Sequence, residues 1–282
     1  MRRRLISTVL LLGAVTNARP LWASGHGPVF GMTTPTNAAG AWAIDFGTMG
    51  RIGETDNAAA ARTMITFGIT QDLQVSGSVP FVLSTAPLPA ARMTGMMPGG
   101  GDFEGILAWR FHRQGTSVGT RVESTAYGGV LVPGPQKAAG LVGTFARTAG
   151  VYAAVASGVA SRATYVWAGV GYTRFAETPI GDRRPTVISY SAVWGYRPPR
   201  LRKEYPHWDW RVFAELTGEK SSTARHLGEV MPGTGAHQVF VGPSALGIYK
   251  NYAIESGLQF PVYRDAAAGL ERERLRYAAN VS

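Results

Sequence analysis

From Ala41 onward one unit recurs along the chain: about ten residues in which apolar and polar side chains alternate, closed by Gly, Pro, Asp or Asn. Residues 42–48 set Trp42, Ile44 and Phe46 on one face and Ala43, Asp45 and Gly47 on the other. A period of two is that of a β-strand, whose successive side chains point to opposite sides. Residues 62–70 place Thr63, Ile65, Phe67 and Ile69 against Arg62, Met64, Thr66 and Gly68. After the tight Gln71-Asp72 turn, Leu73, Val75, Gly77, Val79 and Phe81 alternate with Gln74, Ser76 and Ser78, which predicts a hairpin. The next pair is the most informative. Residues 102–112 set Phe103, Gly105, Leu107, Trp109 and Phe111 against Asp102, Glu104, Ile106, Ala108, Arg110 and His112, with every charge on one face. Beyond the Arg113-Gln114-Gly115 turn, Val118, Thr120, Val122 and Ser124 alternate with Gly119, Arg121, Glu123 and Thr125.

Further strands are predicted near 150–161, 164–175, 186–197, 208–218, 237–248, 251–263 and 272–282, about twelve in all. In 208–218, Trp208, Trp210, Val212, Ala214 and Leu216 oppose Asp209, Arg211, Phe213 and Glu215. In 251–263, Tyr252, Ile254, Leu258 and Phe260 oppose Asn251, Glu255 and Gln259. Pro243 interrupts 237–248 and leaves its faces unassigned. Short links at 71–72, 113–115, 161–163 and 250 interleave with long ones rich in Gly, Pro and Ala at 84–101, 128–148 and 219–236. The link 198–207, with Arg200, Arg202 and Lys203, is the exception on the short side.

Alternation fits two architectures. A soluble sandwich buries the apolar face, whereas an outer-membrane barrel turns it to lipid and keeps polar residues in the lumen. Strand lengths near those that cross a tilted bilayer, alternating connection lengths and an even strand count favour the barrel. Aromatic residues near strand ends, among them Trp42, Phe81, Phe111, Phe175, Trp194, Tyr196, Trp208, Tyr252, Phe260 and Tyr277, fit interfacial girdles. The expected fold is therefore all-β: a transmembrane antiparallel β-barrel of about twelve strands.

Composition agrees. Only 16% of the 282 residues are charged and 36 are Gly, so something other than charge covers the surface. The absence of Cys excludes disulfide scaffolds, thiolate metal sites and Cys nucleophiles. Much of the +10 charge sits at the start of the chain: Arg2, Arg3 and Arg4 precede the apolar run 5–15, and Arg19 follows it. This is the pattern of a secretory signal peptide, and the run is too short for a membrane anchor. Cleavage is expected after Ala23, with Ala18 as the other candidate. No later stretch has 18 consecutive apolar residues. The expected organisation is a signal peptide at 1–23, a Gly-, Pro- and Thr-rich segment at 24–40 that plugs the lumen or hangs in the periplasm, and the barrel at 41–282.

The lumen then holds the charge. Acids Asp45, Asp102, Glu104, Glu123, Asp209, Glu215 and Glu255 face bases Arg62, Arg110, Arg121, Arg174, Arg211, Arg274 and Arg276. They pair across strands to fill the interior, or a subset lines a solute path. The lumen-lining candidates are Asp102, Glu104, Arg110, Arg121, Glu123, Arg174, Arg211, Glu215 and Glu255.

Several segments carry a resemblance. His26-Gly-Pro-Val-Phe-Gly-Met-Thr-Thr-Pro-Thr-Asn leads into Trp42, Gly99-Gly-Gly-Asp102 enters a strand, and Tyr127-Gly-Gly-Val-Leu-Val-Pro-Gly134 ends one. Together with His237-Gln-Val-Phe-Val-Gly-Pro243 and Gln259-Phe-Pro-Val-Tyr263, they resemble the outer-membrane transporter family of phenol-degradation MetA-pathway proteins. The resemblance spans most of the chain after the signal peptide and implies a Gram-negative outer-membrane protein passing small organic, aromatic compounds. It carries over no catalytic or binding residue. One departure is the end: such barrels usually finish in an aromatic residue, whereas this sequence stops at Ser282, so either a few further residues follow, which is the expectation, or assembly is unusual.

Other chemistry finds little support. None of His26, His112, His207, His226 and His237 lies in a GxSxG elbow or an HExxH helix, and no enzyme activity is expected. Met93, Met96 and Met97 offer soft ligands suited to Cu(I), but read more simply as an apolar loop at the barrel mouth. The triplet 99–101 has neither the helix nor the Lys of a phosphate-cradling loop. The basic stretch 197–203 suggests headgroup contact or simple solvation, and no nucleic-acid partner is expected. The function expected is passive passage of a small aromatic or hydrophobic solute, without cofactor or metal, with outer-membrane lipid and the barrel-assembly machinery as partners. A non-conducting structural or adhesive barrel with interacting loops is the alternative, and a lipid-active barrel enzyme a third reading.

Overall fold

The computed structural model describes residues 27–55, 57–83, 102–117, 119–134, 148–203, 206–266, 270 and 272–282. Within them twelve antiparallel strands close a barrel. In chain order these are β1 (Trp42–Gly53), β2 (Asn57–Gly68), β3 (Leu73–Val82), β4 (Phe103–Ser117), β5 (Thr120–Val132), β6 (Gly150–Ala160), β7 (Thr164–Phe175), β8 (Val187–Tyr196) and β9 (Asp209–Ser221). Two dipeptide strands, β10 (Arg225–His226) and β11 (Glu229–Val230), form a small ribbon in the following link. The wall resumes with β12 (Ala236–Tyr249), β13 (Tyr252–Ala266) and β14 (Glu273–Val281). β14 pairs with β1 from Phe46↔Val281 to Gly53↔Glu273 and removes the last open edge. A closed ladder gives every strand a neighbour on both sides, which backbone polar groups require in lipid.

The two faces of this wall invert the distribution of a soluble protein. Phe46 is 61% exposed and Trp109 56%, and Ile44, Val130, Val166 and Trp194 are also exposed. Glu215 and Arg276, by contrast, are each 1% exposed. Apolar surface outside and charge inside is stable only where the outside is lipid. The end bearing Trp42 and the turns 69–72, 161–163 and 250–251 carries most of the short connections and is the periplasmic end.

Three local features depart from simple alternation. β12 continues through Pro243, which faces outward between buried Gly242 and Ser244. Pairing with β13 lapses between Val241↔Phe260 and Ser244↔Gly257, so the missing N–H breaks no ladder bond there. At Gly242 the neighbouring strand comes so close that a Cβ would lie 1.8 Å from the Leu258 carbonyl oxygen. In β4 the register jumps from Arg110↔Thr125 to His112↔Ser124. This bulge reverses the phase: Arg113 pairs opposite Glu123, and His112, expected on the lumen face, is exposed. β2 begins at Asn57, earlier than the pattern predicts, because the alanines 58–61 give alternation nothing to mark.

Residues 27–40 run inside the barrel. Gly40 N–H donates to the Gly68 carbonyl at the periplasmic end, and Val29, Phe30, Met32, Thr34, Thr36 and Asn37 are buried. Phe30 and Val29 pack with Met49, Ala58, Ala60 and Ala278 on the inner face of β1, β2 and β14.

Candidate functional site

The inserted segment has no strand periodicity of its own, so side chains of the wall satisfy its backbone. Val29, Phe30 and Gly31 N–H donate to the Glu215 carboxylate at 3.0, 2.9 and 2.6 Å. Ser244 Oγ–H also donates to Glu215. Met32 N–H donates to Ser191 Oγ at 3.0 Å, and Thr125 Oγ1–H to the Thr34 carbonyl at 2.6 Å. Tyr127 O–H reaches the Thr33 carbonyl, and Trp167 Nε1–H donates to Thr34 Oγ1 at 3.1 Å. Nearer the periplasm, Asn37 N–H donates to Gln74 Oε1 at 2.7 Å and Thr36 Oγ1–H to the Gln71 carbonyl at 2.8 Å. Partners come from β3, β5, β7, β8 and β9, so the segment touches walls on several sides of the lumen.

The charged residues expected to line the lumen fall into separate groups. Near the periplasm, Arg110 bridges Asp72 at 2.7 Å and Glu123 at 3.3 Å, while Arg113 and Arg121 stand 3.7 and 3.8 Å from Glu123. Glu123 also accepts from Thr34 Oγ1 at 3.3 Å. The Arg121 side chain is 46% exposed, at the rim. Arg211 lies 3.5 Å from Asp209, which Arg197 holds at 2.7 Å. Glu255 and Asp45 share Asn280 Nδ2, at 3.4 and 3.3 Å. At the extracellular end, Asp102 pairs with Arg184 at 2.7 Å, and Glu104 accepts from Ser78 Oγ at 3.4 Å. Arg276 reaches both Glu219 and Glu273 and stacks on Phe240, 3.7 Å from the ring centroid.

Arg174 is a correction. On β7 the buried positions are Tyr165, Trp167, Gly171, Thr173 and Phe175, and Arg174 sits on the opposite, outward phase. The cause is that aromatic side chains fill the lumen side of this strand, so polarity marks the wrong face. Tyr165 and Trp167 stack at 5.4 Å, with Phe213 6.3 Å from Trp167 and Arg211 5.5 Å from the Tyr165 ring. Val193, Leu246 and Ala253 complete an apolar patch on this inner wall. The lumen is therefore charged on some sides and aromatic on one.

Sequence reasoning marked Glu215 and Glu123 but missed Ser191, Tyr127, Trp167 and Gln74, whose partners lie far away in the chain. It also missed Arg184, which sits in a link without periodicity. Among the described residues, no group of three or more His, Asp or Glu is placed to hold a metal ion. His26, Met93, Met96 and Met97 lie outside them, as do residues 1–23, on which the expectation of a signal peptide falls.

The barrel is similar to the COG4313 outer membrane channel from Pseudomonas putida F1, with a TM-score of 0.64 over 88% of this chain and 96% of that one, at 10% identity. The fold is shared with an outer-membrane channel. LpxR from Salmonella typhimurium (10% identity, 86% of this chain and 99% of that one) and OccAB4 from Acinetobacter baumannii (8%, 83% and 56%) superpose more loosely, each at a TM-score of 0.42. No protein-family model matches the chain, and no match to a curated protein is found. The closed wall, its apolar exterior and its charged interior put the chain in the outer membrane of a Gram-negative cell.

Proposed function

We propose that the chain is a narrow channel for a small organic solute, aromatic or hydrophobic, whose lumen is occupied and gated by residues 27–40. The observation that carries this reading is the way the segment is held. Its contacts with the wall include at least five hydrogen bonds through its own backbone groups. Water can replace such bonds at modest net cost, so the segment can leave without unfolding the barrel. The aromatic wall of Tyr165, Trp167 and Phe213 supports an aromatic solute, since flat rings stack on such surfaces. The resemblance to the MetA-pathway transporters points to the same solute class.

The test is swelling of proteoliposomes in phenol, benzyl alcohol and a sugar of similar size, with the whole protein, a variant lacking 27–40, and Trp167→Leu. Deletion is expected to raise flux of all three, and Trp167→Leu to slow the aromatics more than the sugar. Permeability unchanged by deletion refutes the gate. The tight packing of buried charge also suits a non-conducting barrel, which predicts silence from every variant.

A further inference from the structure

We propose that the outer surface at the periplasmic corner of β8, β9, β12 and β13 is a binding site for an anionic phospholipid of the inner leaflet. This inference is independent of what passes through the lumen. It begins with the link 197–208, which is longer than the other described connections at the periplasmic end. Backbone bonds hold its first part, residues 198–202. Leu201 and Arg202 N–H both donate to the Pro198 carbonyl, at 3.0 and 2.9 Å, and Trp210 N–H donates to the Leu201 carbonyl at 3.3 Å.

It presents Arg200, Arg202 and Lys203, and the adjoining turn adds Lys250. Arg197 is already engaged by Asp209, whereas Arg200, Arg202, Lys203 and Lys250 form no ion pair among the described residues. At the neighbouring rim, by contrast, Arg110, Arg113 and Arg121 all stand around Glu123. The cations of the corner are thus left for an external anion.

Beside them are two aromatic clusters on the lipid side. Trp194 stacks on Tyr196 at 6.1 Å, and Trp208 on Trp210 at 5.6 Å and on Tyr249 at 5.3 Å. Lys250 Nζ lies 5.3 Å from the Tyr249 ring centroid. Leu201, Trp194 and Tyr252 are exposed. Tryptophan and tyrosine settle at headgroup level, with ring bodies against acyl chains, and basic side chains just beyond them meet headgroup phosphates. Free phosphate would engage the cations but make no use of the aromatics. The two features together select a ligand carrying both an anionic headgroup and acyl chains.

The experiment is lipid retention by the whole purified protein, followed by native mass spectrometry, with phosphatidylglycerol, phosphatidylcholine and glycerol phosphate as probes. Wild type is expected to retain phosphatidylglycerol about tenfold better than phosphatidylcholine and to retain no glycerol phosphate. Arg200→Gln, Arg202→Gln and Lys203→Gln combined should erase that preference. The control pair Arg272→Gln and Arg274→Gln, at the opposite rim, should keep it. Undiminished preference in the triple variant, or equal retention of the two lipids by wild type, overturns the proposal, and so does glycerol phosphate bound as well as the lipid. A second measurement needs no variant: bromine on the acyl chains of phosphatidylglycerol should quench tryptophan fluorescence more strongly than the same label on phosphatidylcholine, and equal quenching refutes the site.

Discussion

Glu215 offers the most direct test of how the inserted segment is seated. Its carboxylate accepts three consecutive backbone N–H groups, from Val29, Phe30 and Gly31, in the middle of the lumen. Glu215→Ala leaves these donors without that acceptor. Each stranded buried N–H costs about 1–3 kcal/mol, so the seated state loses roughly 3–9 kcal/mol if nothing rearranges. The loss is bounded, because the segment can move into water and recover its hydrogen bonds there. Even the lower figure, about 3 kcal/mol, multiplies the unseated population roughly 100-fold. The chain has no cysteine, so a single Thr33→Cys reports on the segment cleanly. The assay is the rate of maleimide labelling at that position in liposomes, with and without Glu215→Ala, alongside single-channel conductance. Labelling is expected to rise by about two orders of magnitude, with longer or larger openings. Labelling within twofold of the parent refutes the argument that Glu215 holds the segment.

Three further outcomes follow from the same geometry. A Cβ at Gly31 would lie 2.2 Å from Val193 Cγ2, so Gly31→Ala should unseat the segment by about 1–3 kcal/mol and raise the same labelling rate, and Val193→Ala should restore it. Arg276→Ala leaves Glu219 and Glu273 buried beside each other and should cost about 3–5 kcal/mol in urea unfolding from bilayers; replacing Arg276 by Met and both acids by Gln should recover much of that loss. Val155→Arg, outward in the middle of β6, should cost about 2–4 kcal/mol in the same assay, whereas Arg174→Leu at the strand end should change it by less than about 1 kcal/mol.

Much of the wall could be read from period two alone. The inward positions of β1, β4, β9 and β13 follow the predicted faces from Asp45, through Asp102 to Arg110, to Glu215 and Glu255. Alternation is a local property, and a strand with one lipid face displays it whatever its partners. It fails where local polarity and facing part company. On β7 the lumen side is aromatic, so Arg174 reads as inward and points out. At the bulge of β4 one extra residue moves His112 off the lumen phase, and no composition cue announces it. The inserted segment is the extreme case. Glu215 and Phe30 are 185 positions apart, and nothing in either neighbourhood specifies the other. Gly31 alone hints at a close approach, and only the wall around it shows why.

The two kinds of interior charge have different consequences for opening. Arg276, between Glu219 on β9 and Glu273 on β14, ties strands of the wall to each other across Phe240. Arg184 does the same between Asp102 and the link 176–186. Releasing such pairs exposes unpaired buried charge and strains a closed ladder, so motion of the wall is the costly route. Glu215 belongs to the other kind. Most of its bonds go to backbone outside the ladder, and breaking them leaves every strand pair intact. A lumen can then change its bore by displacing residues 27–40 while the barrel keeps its shape. On this argument gating should be sensitive to Glu215, Ser191 and Gly31 and insensitive to Arg276, whose loss should lower stability without raising conductance.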